Sequence, residues 1–190
     1  RAADTGHQRV GGQPRDLEED VEVEHVGATL YLLGVVYAYL ATGTLAMADL
    51  RVALAAAGYD SPLVVASVVL VVVGLGVKLA LFPLHAWKPD AYTGAPADVA
   101  ALLAALGSTV AGYALVRLLF GVYTVDLLVA VPALRTGLLV AGLVGVLAGA
   151  LLTLRQSHVR RLFAYSSVLQ YGVVTVGLAL ATPAAVTGAV

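Results

Sequence analysis

The sequence of 190 residues contains no cysteine, and this absence excludes disulfides, thiolate metal sites and cysteine nucleophiles together. Charged residues are also scarce, at 12% of the chain, and 11 lysines and arginines nearly balance 12 acidic residues. A chain without a basic excess has no electrostatic basis for binding nucleic acid. The polar residues form no nucleophile triad, phosphate loop or metal-ligand cluster, so we expect no cofactor and find no signature of a soluble enzyme.

Apolar residues, in contrast, make up 60% of the chain, and the mean hydropathy is +0.91. A water-soluble domain of this length could not bury so many apolar side chains in one core. We therefore predict an all-α integral membrane protein. The chain begins at Arg1 and its last apolar run continues to Val190, so we expect an internal fragment of a longer protein.

Runs without charged residues predict about five transmembrane helices, because a helix needs about 20 residues to cross roughly 30 Å of hydrocarbon. The predicted spans are residues 26–48, 62–87, 97–119, 134–155 and 162–182, with another beginning at 183. On the fourth span Ala141, Gly145 and Gly149 lie four residues apart. This spacing predicts a face where another helix packs closely.

Residues 1–25 differ from the transmembrane domain predicted for 26–190. They hold seven of the twelve acidic residues and no long apolar run, so we predict a polar loop or tail. The densest basic cluster is Arg155, Arg160 and Arg161, which predicts a cytoplasmic loop by the positive-inside rule. Alternation of the spans then puts the 85–97 loop on the same side.

Lys78 is the charged residue that the sequence places most deeply inside an apolar run, and Pro83 follows five positions later. A lysine at mid-membrane costs at least about 2.5 kcal/mol, so it should face the bundle interior or a wet cavity. Proline removes a helical hydrogen bond and clashes with the carbonyl four residues back, so the helix should break just after Lys78. Transporters place such breaks at ion sites. The alternative is that Lys78 lies near a helix end and extends to the interface.

His85 and Trp87 follow the predicted break. Histidine titrates near neutral pH, so His85 is a candidate proton relay, although an interfacial histidine bonded to the backbone explains it equally well. Trp87 suits a membrane interface. Neutral polar residues within the spans could hold water or relay protons, although a structural role is favoured for each: Ser108, Thr109, Tyr113 and Gln170.

Three segments of the sequence resemble motifs of one membrane-protein family. The first, KLALFPLHAWKPDAYTGAPADVAALLAALGSTVAGYALVR, resembles a pattern of lysine, four apolar residues and proline, followed by HxWxPDAxxxAP. The second, VRRLFAYSSVLQYG, resembles the motif KRLLAYSSISQ, and the third, ATGTLAMADL, is similar to the loop after the family's sixth helix. The family is that of the antiporter-like, proton-conducting membrane subunits of NADH:quinone oxidoreductase (complex I) and Mrp-type Na⁺/H⁺ antiporters.

The resemblance places Lys78 on the family's essential lysine in a discontinuous seventh helix, Pro83 on its break and His85 on the HxW histidine. It implies a glutamate partner for Lys78 on a fifth helix, outside residues 1–190. Two positions depart from the family pattern. Many members carry a lysine where this chain has Thr109, and Lys88 stands where the family has an apolar or small polar residue.

The resemblance implies a proton-translocating subunit of a multi-pass complex in a prokaryotic cell membrane, with other membrane subunits as partners and no redox centre of its own. We slightly favour a multi-subunit cation/proton antiporter that exchanges Na⁺ and H⁺. The alternative is a proton-pumping subunit of NADH:quinone oxidoreductase, where it would be a component of a translocase. A more distant alternative is a membrane scaffold that transports nothing, with Lys78 in a structural ion pair.

Overall fold

The computed structural model describes the backbone of residues 14–182 and the side chains of residues 22–182. This part of the chain is helical and contains no strand. Its α-helices are α1 (Pro14–Thr42), α2 (Met47–Ala57), α3 (Pro62–Leu79), α4 (Trp87–Gly94), α5 (Ala97–Leu102), α6 (Ser108–Arg117), α7 (Thr124–Ala130), α8 (Pro132–Leu154) and α9 (Val159–Leu180). Two π-helical segments, Leu103–Gly107 and Leu118–Tyr123, join α5, α6 and α7 into one stretch.

Five helical stretches among the described residues are long and apolar enough to cross a membrane, which confirms the predicted all-α membrane bundle. They are Glu22–Thr42, Pro62–Leu79, Ala97–Ala130, Pro132–Leu154 and Val159–Leu180. The third stretch continues past the predicted end at 119 to Ala130. Arg117 lies within it on an exposed helix face and donates to the Tyr113 hydroxyl. The additional span predicted from residue 183 lies outside the described residues.

The first helix begins earlier than its apolar run. Residues 14–25, expected in a polar loop or tail, form the first turns of α1. Proline is tolerated at the first helical position, where Pro14 lies. The helix thus extends beyond what hydropathy alone indicates. Residues 1–13 lie outside the described part of the chain.

The predicted break is present between α3 and α4. Helix α3 ends at Leu79, and Ala80 adopts a left-handed conformation with φ of 57°. The amide of Ala80 donates to the Val77 carbonyl at 3.0 Å, and that of Leu81 to the Gly76 carbonyl at 2.8 Å. This pair of bonds is the Schellman arrangement that ends helices. The second span therefore stops at 79, rather than at 87 as predicted.

Two pairs of helices pack so closely that only glycine fits at their contacts. In the α1–α3 pair, a Cβ on Gly74 would lie 2.5 Å from the backbone nitrogen of Tyr31. In the α8–α9 pair, a Cβ on Gly142 would lie 2.9 Å from the Gly172 carbonyl, and one on Gly149 would lie 2.7 Å from the Leu169 nitrogen. The α8–α9 contact thus uses Gly142, where the predicted stripe had Ala141.

Candidate functional site

Lys78 lies in the last turn of α3, directly before the break. Its Nζ is 3.4 Å from Oε1 of Glu24 on α1, and the two side chains are 47% and 43% exposed. A cation near a helix C-terminus is stabilised by the helix dipole. The glutamate that the resemblance implies on a fifth helix, outside residues 1–190, stays a prediction; among the described residues Lys78 pairs with Glu24. The sequence did not identify Glu24 because it lies in the segment expected to form a polar loop or tail, whereas the structure shows a helix from Pro14 onward.

The Lys78–Glu24 pair lines an open cavity of about 360 Å³. Helix α4 contributes Trp87 and Tyr92 to its wall, and α6 contributes Ser108. The indole N–H of Trp87, expected at a membrane interface, donates to the Val77 carbonyl in the last turn of α3 at 3.0 Å. Lys78 therefore lines a cavity at the end of the broken helix. That it avoids lipid stays a prediction.

Lys88 is a site residue that the sequence patterns did not predict, since it stood out only as a departure from the family pattern. Its side chain is fully buried, with 0% exposed. Its Nζ donates to the Ser108 hydroxyl at 2.8 Å and lies over the rings of Tyr92 and Tyr171, 5.6 and 5.3 Å from their centroids. Helix α4 is outside the five candidate spans, and burial lowers the pKa of Lys88 below its ordinary value.

Lys78 and Lys88 are the two lysines of the whole sequence, and they flank the break ten positions apart. The cluster at Lys88 also includes Tyr92. Burial raises the pKa of the Tyr92 hydroxyl, and a hydrogen bond with Ser108 acts in the opposite direction. The sequence does contain a signal that could have identified Lys88. A chain with so few charges places both of its lysines close to the break.

His85 lies between the two lysines in sequence but contacts a different part of the bundle. Its ring stacks on Phe82 with centroids 5.2 Å apart and meets the edge of Tyr165 at 6.4 Å. The Nδ1 atom is buried and has no hydrogen-bond partner among the described residues. His85 is not among the residues lining the Lys78 cavity. Its role as a proton relay stays a prediction.

The neutral polar candidates separate into one buried residue and three exposed ones. Ser108 is 5% exposed and binds Lys88. Thr109 is exposed on this chain, although its side chain interacts with the Tyr171 hydroxyl. Tyr113 is 60% exposed and accepts a hydrogen bond from Arg117, and Gln170 is exposed. Of the four, only Ser108 lines the Lys78 cavity.

Basic residues at the start of α9 hold α4 in place. Arg161 pairs with Asp90, and Nη1 of Arg160 donates to the Ala95 carbonyl at 3.0 Å. These contacts put the 85–97 connection and the basic cluster at one end of the bundle, as the alternation of spans predicts. Which side of the membrane this end faces stays a prediction.

The fold and site define a multi-pass helical membrane protein with an ion pair at a broken helix and a buried lysine beside it. The family model for the transmembrane part of NADH:quinone oxidoreductase and Mrp antiporter subunits matches residues 22–190. The chain belongs to this family.

Two curated relatives and one solved structure illustrate the match. An NADH-quinone oxidoreductase subunit of Desulforudis audaxviator, of the N type, is 44% identical over 85% of this chain and 32% of its own length. An Na(+)/H(+) antiporter subunit of Bacillus subtilis, of the D type, is 33% identical over 95% of this chain and 36% of its own. The Mrp complex from Dietzia sp. contains a chain with a TM-score of 0.80 and 26% identity, covering 92% of this chain and 31% of that one. This chain thus spans about a third of the length of these proteins.

Proposed function

We propose that this chain is the central part of a proton-translocating membrane subunit, in which Lys78 and Glu24 exchange protons at the break after α3. The observation that carries the proposal is the 3.4 Å ion pair between these residues on the wall of a cavity at the end of a broken helix. Charges at membrane depth are kept where they serve ion or proton movement. A break supplies backbone and water-accessible space at the same point.

The ion pair gives the lysine two states that a conformational change can exchange. Glu24 and Lys78 lie on different helices, α1 and α3, so a change in helix arrangement can bring the carboxylate to the lysine or move it away. In the proposed scheme Lys78 passes its proton on when the carboxylate has moved away. The chain supplies no redox chemistry in this scheme, so the driving energy comes from partner subunits or from an existing ion gradient.

We further propose that the assembly is of the NADH:quinone oxidoreductase type. The identity is 44% with the Desulforudis oxidoreductase subunit and 33% with the Bacillus antiporter subunit, so we place this reading ahead of the antiporter that the motifs slightly favoured. The Mrp-type antiporter remains the second candidate, because the Bacillus antiporter subunit aligns over 95% of this chain. In either case the expected partners are other membrane subunits of the same complex.

The test uses the full-length subunit in its assembly, in inverted membrane vesicles. Lys78→Ala should lower proton transport by about tenfold or more, because removing a group used in the transfer step costs at least about 1.4 kcal/mol of barrier. The matched control is Arg51→Ala, which removes an exposed cation on α2, away from the cavity. Transport at the wild-type rate in an assembled Lys78→Ala complex would reject the proposal and favour the scaffold.

The same vesicles separate the two kinds of complex. Proton uptake driven by NADH and abolished in Lys78→Ala indicates the oxidoreductase type. Proton movement that needs only an imposed Na⁺ gradient indicates the antiporter type.

A further inference from the structure

Lys88 is buried in surroundings that do not compensate a full charge. A buried ammonium is costly unless a carboxylate pairs with it. Among the described residues no carboxylate lies within ion-pairing distance of Lys88; its polar contact is the neutral Ser108 hydroxyl, and two tyrosine rings cover it. Cation–π contacts with the two rings recover only part of the hydration free energy that the ammonium loses on burial. An apolar side chain would fill this position at lower cost, so packing alone does not account for a lysine here.

Ser108 connects this buried lysine to the Lys78 cavity. Ser108 and Tyr92 both line the cavity that contains Lys78 and Glu24, whereas Lys88 does not. The Lys88 Nζ donates to the Ser108 hydroxyl at 2.8 Å. Ser108 therefore contacts the buried amino group and is also one of the residues lining a space large enough for several water molecules.

We propose that Lys88 is a second proton-carrying residue of this subunit, which exchanges its proton with the Lys78–Glu24 cavity through the Ser108 hydroxyl. The inference rests on the proposed function, because it assumes that protons enter that cavity. It adds a residue and a path that the resemblance does not supply.

The transfer is a two-bond relay that conserves protons and charge. On release, an N–H bond of the Lys88 ammonium breaks and that proton binds Ser108 Oγ. The original O–H bond of Ser108 breaks in the same step, and its proton passes to water in the cavity. Lys88 is left as a neutral amine, and loading is the reverse of this sequence. Histidine and metal chemistry are not required.

The groups around Lys88 favour a proton that is held weakly. The other charged or titratable residues on α4, α6 and α9, the helices around Lys88, are Asp90, Tyr92, Tyr113, Arg117, Arg160, Arg161, Tyr165 and Tyr171. Glu24 and Lys78 line the neighbouring cavity. Asp90 is paired with Arg161, and Glu24 with Lys78. The carboxylates near α4 are therefore engaged elsewhere, and burial acts on Lys88 without a counter-charge, in the direction of a lower pKa.

Three substitutions at position 88 in the full-length assembly test the inference. Lys88→Met removes the amino group, Lys88→Gln keeps a donor for Ser108, and Lys88→Arg keeps a charge that does not dissociate. We expect all three to assemble and each to transport protons at least about fivefold more slowly than wild type, because none can both gain and lose a proton. A purely structural need for charge would instead be met by arginine, and a need for the hydrogen bond by glutamine.

The path is tested by a matched pair of buried serines. Ser108→Ala should slow transport by a similar factor and change its pH profile, because it removes the link to the cavity. Ser67→Ala removes another buried hydroxyl, bonded to the Gly34 carbonyl and Tyr123, and should leave the pH profile of transport unchanged.

A wild-type rate and pH profile in any assembled Lys88 variant, Lys88→Arg included, would overturn the inference. Lys78→Ala, measured in parallel, distinguishes this failure from failure of the proposed function. Loss of transport in Lys78→Ala with normal transport in Lys88→Gln rejects Lys88 alone. Normal transport in Lys78→Ala rejects the proposed function.

Discussion

The two lysines beside the helix break are held in opposite ways. Lys78 is half-exposed, lies in the last turn of α3 and has a carboxylate partner 3.4 Å away. Lys88 is fully buried on the short helix α4, with a serine and two aromatic rings around its amino group. The first site pairs a lysine with a counter-charge. The second buries a lysine that has no counter-charge among the described residues, and this burial lowers the pKa of Lys88.

The two sites depend on different parts of the bundle. The counter-charge of Lys78 comes from another helix, so this ion pair depends on how α1 and α3 are arranged. Lys88 depends instead on desolvation inside the contact of α4 with α6 and α9. Substitutions that remove the Glu24 counter-charge should therefore affect the Lys78 site, and substitutions that remove the buried amino group should affect the Lys88 site.

The largest expected effect comes from reversing the charge at the first site. Lys78→Glu would place two carboxylates together beside the helix end, so proton transport should fall by about tenfold or more. Adding Glu24→Lys restores an opposite pair, and the double variant should recover part of the rate. A double-mutant cycle on vesicle transport measures the coupling. If the rate loss of the double variant equals the combined losses of Lys78→Glu and Glu24→Lys, Glu24 is not the functional partner.

The second prediction concerns stability at the Lys88 site. The pKa of Lys88 is lower folded than unfolded, so the unfolded chain binds more protons and the buried ammonium destabilises the fold. This penalty is complete below the folded pKa and disappears as the pH rises from there to 10.5. Lys88→Met should therefore raise the Tm of the purified assembly near pH 7, with a gain that shrinks towards alkaline pH.

Arg51→Met is the control for that measurement, because it removes an exposed cation. Its Tm should follow that of the wild type at every pH. A Tm for Lys88→Met below that of the wild type at neutral pH would show that the contacts of the amino group outweigh its desolvation.

The sequence was sufficient for the features that depend on local chemistry. Uncharged runs identified the number of spans, and Pro83 identified the break that leaves Lys78 at a helix end. Helix ends were harder: the left-handed turn at Ala80 and the extension of α1 to Pro14 arise from backbone geometry that hydropathy does not measure.

The residues missed at the site depend on tertiary packing. Glu24 belongs to an acidic segment that resembled a loop, and only its helical geometry brings it to Lys78. Lys88 lies in a polar, proline-containing connection that predicts exposure, and it is buried because α6 and α9 cover it. Thr109 and Lys88, which both depart from the family pattern, are brought close in space, since Lys88 binds the residue next to Thr109.

The smallest expected effect is at Trp87, whose indole ties the start of α4 to the end of α3 and so joins the two lysine sites. Trp87→Phe removes one hydrogen bond to the Val77 carbonyl, which keeps the Ala80 amide as a donor. The loss should be about 1 kcal/mol, seen as a modest decrease in Tm. Tyr113→Phe, which removes a hydroxyl from an exposed site, should leave Tm unchanged.

Because Trp87 carries no titratable group, proton transport should change little in Trp87→Phe. A tenfold loss would mean that the relative position of α3 and α4 controls transfer between the lysines.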